Sequence, residues 1–127
     1  MTMITVLLDT NALLMPHQHG VDVFAEIDRI IDEIHEIITL STVVEELKGL
    51  SCSSSDDGAA ARVGLRLLKE KTLRLVPSSG DVDDAIVEYA EKNNAVVCTN
   101  DKALKRRLKV RGVRTISLRG QTHLEMR

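Results

Sequence analysis

Residues 4–11 read Ile4-Thr5-Val6-Leu7-Leu8-Asp9-Thr10-Asn11, a short apolar run that ends abruptly on a carboxylate. Nothing in its first five residues alternates between apolar and charged, so both faces of this strand must be covered, as in a parallel sheet flanked by helices. The same kind of run recurs at Glu36–Leu40, Leu73–Val76, Ala95–Cys98 and Thr115–Leu118. Helical spacing fills the intervals. Alternating strands and helices of this sort predict an α/β fold with a mainly parallel sheet of five strands.

Phe24, Ile27, Ile31, Ile34 and Ile38 recur three and four residues apart, which predicts a helix over about Val21–His35. Val43, Leu47 and Leu50 mark a short helix after the second strand, and Ser51–Gly58 reads as a flexible loop. A further helix runs over Ala59–Lys71 with Ala60, Val63 and Leu67 inward. Ser79 or Asp81 caps the next, whose buried stripe is Val82, Ala85, Ile86 and Tyr89 and which closes at Asn93–Asn94. The last helix, Lys102–Lys109, turns Leu104 and Leu108 inward and stops at Gly112. Met15–Gly20 reads as a loop, and its His17 and His19 are surface residues rather than metal ligands.

The 127 residues, 43% apolar and 28% charged, suit one core and hence one domain over residues 1–127. Disorder and membrane spanning are excluded by that balance and by the shortness of the apolar runs. The start of the chain has no secretory-signal pattern, which implies a cytoplasmic location. Cys52 and Cys98 lack metal-site spacing and are read as inert thiols. The net charge of −2 conceals a division: residues 1–101 carry 8 Lys and Arg against 18 Asp and Glu, giving −10, whereas residues 102–127 carry 9 against 1, giving +8. Such a tail is either a solvated face or a footprint for a polyanion.

In an open α/β sheet, functional groups gather at the carboxyl ends of strands where the strand order reverses. Asp9 directly follows the first strand and Asp101 follows the fourth by two residues. Glu46 lies on the helix after the second strand, and Asp84, beside Asp83, lies in the first turns of the helix before the fourth. Each acid taken singly can be a helix cap or a partner of the helix dipole. Together they converge on one end of the sheet without a basic neighbour, and such a cluster needs a cation. Carboxylates suit Mg²⁺ or Mn²⁺, as one or two ions, and these serve phosphodiester hydrolysis. The basic tail, with Lys102, Lys105, Arg106 and Arg107 as candidates, would then hold nucleic-acid phosphates on either side.

Four pieces, Leu7-Leu8-Asp9-Thr10-Asn11, Val43-Val44-Glu45-Glu46-Leu47, Asp83-Asp84-Ala85-Ile86 and Thr99-Asn100-Asp101, come in an order and spacing that resembles the PIN domain. That is the metal-dependent ribonuclease fold of VapC-type toxins and of nucleases of ribosomal RNA processing. The resemblance implies a three-layer α/β/α sandwich whose five-stranded parallel sheet is ordered 3-2-1-4-5. Carried over residue by residue, it implies Asp9, Glu46, Asp84 and Asp101 as catalytic metal ligands. Glu46 is preferred to Glu45 because it directly precedes Leu47, and Asp84 to Asp83 because it directly precedes Ala85. Asn11, Thr99 and Asp83 would support them. The run from Asp101 to Leu108 looks more like the ribosomal-processing branch and its archaeal relatives than a typical bacterial toxin. A homodimer and either an antitoxin or a ribosome-processing partner are implied at the family level.

The expected activity is therefore endoribonucleolytic hydrolysis leaving a 3′-hydroxyl and a 5′-phosphate, with no membrane role. With Phe24 and Tyr89 as the aromatic residues, little is available for stacking on bases, and sequence-specific readout is not expected. The competing reading is a PIN-like scaffold that binds RNA or protein without cutting. A phosphoaccepting receiver domain would need an Asp at the end of the third strand, where Val76-Pro77 stands. No P-loop or nucleophilic-serine motif is present.

Overall fold

Val6, Leu7 and Leu8 are wholly buried because β1 (Ile4–Leu8) is an interior strand, as its uninterrupted apolar run requires. In the computed structural model, which describes residues 3–120 and 122–127, β1 pairs in parallel with β2 (His35–Leu40) on one side and β4 (Val96–Cys98) on the other. β3 (Arg74–Val76) extends the sheet beyond β2, and β5 (Thr115–Arg119) extends it beyond β4. A further strand, β6 (His123–Met126), pairs antiparallel with β5, so the sheet has six strands in the order 3-2-1-4-5-6.

The sixth strand corrects the sequence expectation of five. His123-Leu124-Glu125-Met126 alternates polar and apolar residues, as an edge strand with one buried face should, and so lacks the continuous apolar signature of the others. Its outer edge is occupied by side chains. The Leu124 N–H donates to Glu26 Oε1 at 2.9 Å, and Arg29 Nη2 donates to the Leu124 carbonyl at 2.9 Å.

Helices α1 (Thr10–His19), α2 (Val23–Ile30), α3 (Ser41–Ser51) and α4 (Asp56–Glu70) pack among themselves, and α5 (Val82–Asn93) packs with α6 (Lys102–Val110). Right-handed crossovers on a sheet of this order put the first four on one face and the last two on the other, the expected three-layer sandwich. Among the described residues no helix is long and apolar enough to cross a membrane.

Three local expectations change. Met15–Gly20 is not a loop: Pro16 lies inside α1, which runs to His19 and closes on Gly20 with φ 63°. Burial of Ala12, Leu13 and Met15 holds the helix through a residue that costs about 3 kcal/mol in a helix interior. The helix expected over Val21–His35 ends at Ile30; Ile34 is exposed and Ile38 owes its burial to β2, so the threefold and fourfold spacing ran across an element boundary. The Ser51–Gly58 loop is shorter than expected, since Ser55 caps α4 through the Gly58 N–H at 3.3 Å.

The inward line of α4 is Ala60, Ala61, Gly64 and Leu68, with Val63 and Leu67 only half-buried. Small residues let α4 cross α1 closely: a Cβ on Gly64 would stand 2.5 Å from the Leu13 carbonyl oxygen. Gly64→Ala therefore lowers stability by about 1–3 kcal/mol despite its better helix propensity. Equilibrium urea unfolding measures this, and an unchanged or higher midpoint would show that the crossing relaxes freely.

Candidate functional site

β1 connects towards β2 and β4 connects towards β5, so the chain diverges between two adjacent strands and leaves a crevice at their carboxyl ends. Asp9 enters that crevice as the N-cap of α1, its Oδ1 accepting the Ala12 N–H at 2.7 Å. Asp101 enters as the N-cap of α6, its Oδ1 accepting the Leu104 N–H at 3.0 Å. The capping and site readings thus coincide, because each cap bond uses one carboxylate oxygen. The two turns are tied together by Asn11 Oδ1, which accepts the Asn100 N–H at 2.9 Å. Thr99, fully buried, accepts the Asp101 N–H on its hydroxyl at 3.1 Å.

The other wall comes from α3 and α5. The N-terminus of α3 follows Leu40, which offers no capping side chain; Ser78 Oγ accepts the Thr42 N–H at 3.1 Å instead, and Ser41 Oγ accepts the Ser78 N–H at 2.9 Å. This knot couples the helix bearing Glu46 to the segment leading into α5. Nothing in the spacing of Ser41, Thr42 and Ser78 foretold it, since the partners lie 36 and 37 residues apart.

Asp9, Thr10, Asn11, Glu46, Asp83 and Asp101 line a cleft of about 220 Å³. Asp83, rather than Asp84, is the acid that α5 contributes. With Asp81 as N-cap accepting the Asp84 N–H at 2.9 Å, Val82, Asp83 and Ile86 share the face of α5 that borders the cleft. Asp84 is turned about 100° away. Its exposed carboxylate pairs with Arg107 at 2.7 Å, so Arg107 is engaged by α5 as well. Lys102, Lys105 and Arg106 line a separate groove. His17 lies near Asp56 at 3.4 Å, and neither His17 nor His19 lines the cleft.

The electrostatics follow from this crowding. Burial pushes the Asp9 carboxyl from its ordinary 3.8 up to about 7, with the Asp83 and Asp101 charges adding to the rise and hydrogen bonds from Thr99 and Ala12 opposing it. Asp83 is raised by burial first and then by Asp101, Asp81 and Glu46, with Arg107 opposing. Among the described residues the cleft lining holds no cationic side chain. Thr10, which the sequence did not single out, adds a buried hydroxyl without a hydrogen-bond partner among the described residues. Cys98, also buried beneath Asp9, has its ionisation suppressed by burial and by that charge.

An all-oxygen, acidic donor set with an orphaned hydroxyl fits a hard divalent cation. Among the described residues no three acidic, His or Cys side chains are drawn into a closed cage. The carboxylates instead stand around the cleft, which suits an ion that keeps part of its water.

The sequence profile of a family described as PIN like domain matches residues 6–121. The chain is 34% identical over 127 residues to Ribonuclease VapC4 of Methanocaldococcus jannaschii, covering 98% of this chain and 97% of that relative. To Ribonuclease VapC9 of Archaeoglobus fulgidus it is 31% identical over 107 residues, covering 84% and 76%. Among solved structures, the PIN domain endonuclease Utp24 is similar with a TM-score of 0.77 at 24% identity, over 96% of this chain and 90% of that one. VapBC2 from Rickettsia felis, bound to a DNA fragment from their promoter, is similar with a TM-score of 0.63 at 18% identity, over 91% and 100%. These two likenesses concern the fold.

Because folding raises the Asp9 pKa, the native state binds a proton more tightly than the unfolded chain between about pH 4 and 7. Stability is thus favoured at the acidic end and falls as pH rises through about 7, where the ionised carboxylate bears its full desolvation cost. In EDTA, Asp9→Asn should raise the melting temperature at pH 8 by on the order of 5 °C and change it little at pH 4. Thermal melts across that range check the sign; a variant that melts lower than the parent at pH 8 contradicts the cause assigned to the shift.

Proposed function

Since the chain belongs to the PIN-like domain family, we propose that residues 1–127 act as one domain, a divalent-metal-dependent endoribonuclease whose centre is the cleft of Asp9, Glu46, Asp83 and Asp101. The observation that carries this reading is the convergence of four carboxylates on a cleft whose described lining residues include no cationic side chain, at the point where the strand order reverses. The names of the relatives at 34% and 31% identity, both Ribonuclease VapC, support the reaction class.

Mg²⁺ or Mn²⁺, as one or two ions, would be held by Asp9, Asp101, Asp83 and Glu46 and, when bound, supplies positive charge for the scissile phosphate and a lowered pKa for water. The chain's own groups prepare the place. Asp9 and Asp101 are fixed by their cap bonds to Ala12 and Leu104, and Asn11 and Thr99 keep the two turns in register. The Thr10 hydroxyl is left to bond water or a phosphate oxygen. Water attacks phosphorus in line and the bond to the 3′ oxygen breaks, leaving a 3′-hydroxyl and a 5′-phosphate. Asp84 serves this reading indirectly, by holding Arg107 against α5.

We further propose a toxin-like role with an antitoxin as partner over a ribosome-processing one, which the VapC names of the relatives support, and, as the family resemblance implies, a cytoplasmic setting and a homodimer as the assembled form.

Cleavage of labelled RNA tests the site. Activity with Mn²⁺ should vanish in EDTA, and Asp9→Asn and Asp83→Asn should each lower kcat/KM by on the order of 100-fold or more. Asp84→Asn should cost about tenfold or less. Activity that survives both EDTA and Asp9→Asn removes the metal from the mechanism, and equal losses at Asp83 and Asp84 remove the distinction between them. RNA that is bound and never cut would mark a scaffold.

A further inference from the structure

Helix α6 carries its charge on two separate faces. Arg107 and Arg111 pair with Asp84 and Glu91 of α5, at 2.7 and 2.8 Å. Lys102, Lys105, Arg106 and Lys109 fall at spacings of three and four on another face and have no carboxylate partner within 4 Å among the described residues. That face borders a groove of about 710 Å³, more than three times the acidic cleft, whose other side is the β5–β6 hairpin.

The hairpin face is shaped for close approach. Thr115, Ser117 and Arg119 point to one side of β5 by the twofold period of a strand, and the register sets Glu125 opposite Ser117. Arg127 exchanges both backbone hydrogen bonds with Thr115 and adds its guanidinium, and Arg114 lines the groove as well. Among the described residues Glu125 is the single acid in the lining, and it lies 3.8 Å from both Arg119 and Arg127. Gly112 and Gly120 leave the ends unobstructed.

We infer that this groove is a sequence-independent site for the sugar-phosphate backbone of single-stranded RNA, holding the strand beyond the scissile bond. The inference rests on the proposed ribonuclease reading for the identity of the polyanion, and it assigns the holding to Lys105, Arg106, Lys109 and Arg114 rather than to Arg107. Position supports it, since Lys102 at the head of the groove directly follows Asp101 of the cleft, and α6 extends about 13 Å from there. Chemistry supports RNA over an acidic protein segment. Among the described residues the lining has no aromatic side chain to anchor a partner protein, and the large apolar residues that are most exposed, Met3, Ile34, Leu75 and Val110, lie outside it. A groove rimmed by cations, of which Lys102, Lys105, Arg106 and Lys109 have no carboxylate partner among the described residues, asks for phosphates and reads no base.

The test measures binding apart from cleavage. Fluorescence anisotropy of labelled 12-mers of oligo(U) and oligo(A) is followed in EDTA from 50 to 200 mM salt. Comparison is made between the parent chain, the triple variant Lys105→Ala/Arg106→Ala/Arg114→Ala, and a control of equal charge change, Arg66→Ala/Lys69→Ala/Lys92→Ala. The parent should bind both oligomers alike, and the groove variant should lose affinity on the order of tenfold or more, with its salt slope shallower by about 2. The control should keep the parental slope. Equal losses in groove variant and control, or undiminished binding by the groove variant, overturn the site. Failure of the parent to bind RNA while it binds a labelled poly-glutamate peptide assigns the groove to a protein partner and overturns it too. Groove-dependent binding without any Mn²⁺-dependent cleavage upholds the groove and refutes the ribonuclease reading instead.

Discussion

Asp9 is a carboxyl group with 4% exposure, set in the middle of the sheet's carboxyl edge and surrounded by other acids. Such a group is costly to bury ionised, and the fold around it is organised to hold it in one place. Its backbone N–H is taken by the Cys98 carbonyl at 3.3 Å, and the same residue's side chain starts α1. The Thr39 hydroxyl fixes the preceding Leu8 carbonyl from the neighbouring strand at 2.7 Å. Strand pairing, helix initiation and the acidic cleft therefore share one residue, and a displacement of Asp9 would disturb all three. Burial, with the repulsion among Asp9, Asp83 and Asp101 added to it, is the physical reason that the cleft favours protons and that a cation would relieve it.

Much of this was legible before any coordinate. The apolar runs placed the parallel strands nearly residue for residue; the interior ones, β1, β2 and β4, are clearest because strands covered on both faces leave an unbroken signature, whereas β3 is an exposed edge strand. Acids immediately after strands marked Asp9 and Asp101, because the topology of such sheets leaves few other places for a crevice. What escaped was whatever depended on rotation or on distant partners. Between adjacent acids the resemblance favours Asp84, which directly precedes Ala85, whereas the phase of α5, set by the Asp81 cap and by the burial of Ile86, turns Asp83 to the cleft. The sixth strand was hidden by its half-polar alternation, and the Ser41, Thr42 and Ser78 knot by chain distance.

The charge division of the chain also takes a more definite form. The basic tail is not one surface. Two of its arginines bind α5 through Asp84 and Glu91, where they fasten α6 beside the cleft, and the cations left over face the hairpin. Exposed pairs of that kind contribute little to stability individually, so their effect is chiefly to choose which way α6 presents its remaining charges. Helical phase, which decides the acid contributed by α5, decides the cations contributed by α6 as well.

The engagement of Leu124 by Glu26 and Arg29 reaches beyond local stability. In the β5–β6 ladder, Leu124 turns its backbone N–H and C=O outward, and an exposed edge with such groups invites another strand. Side chains of α2 already satisfy both groups, so the sheet is sealed at that end. The opposite end is the three-residue β3, with Leu75 half exposed and Arg74 clasping Glu36 across the adjacent strand. Growth of the sheet by strand addition is thereby directional: a second chain that docked edge to edge would meet the β3 side, far along the sheet from the basic groove, and would leave that groove uncovered.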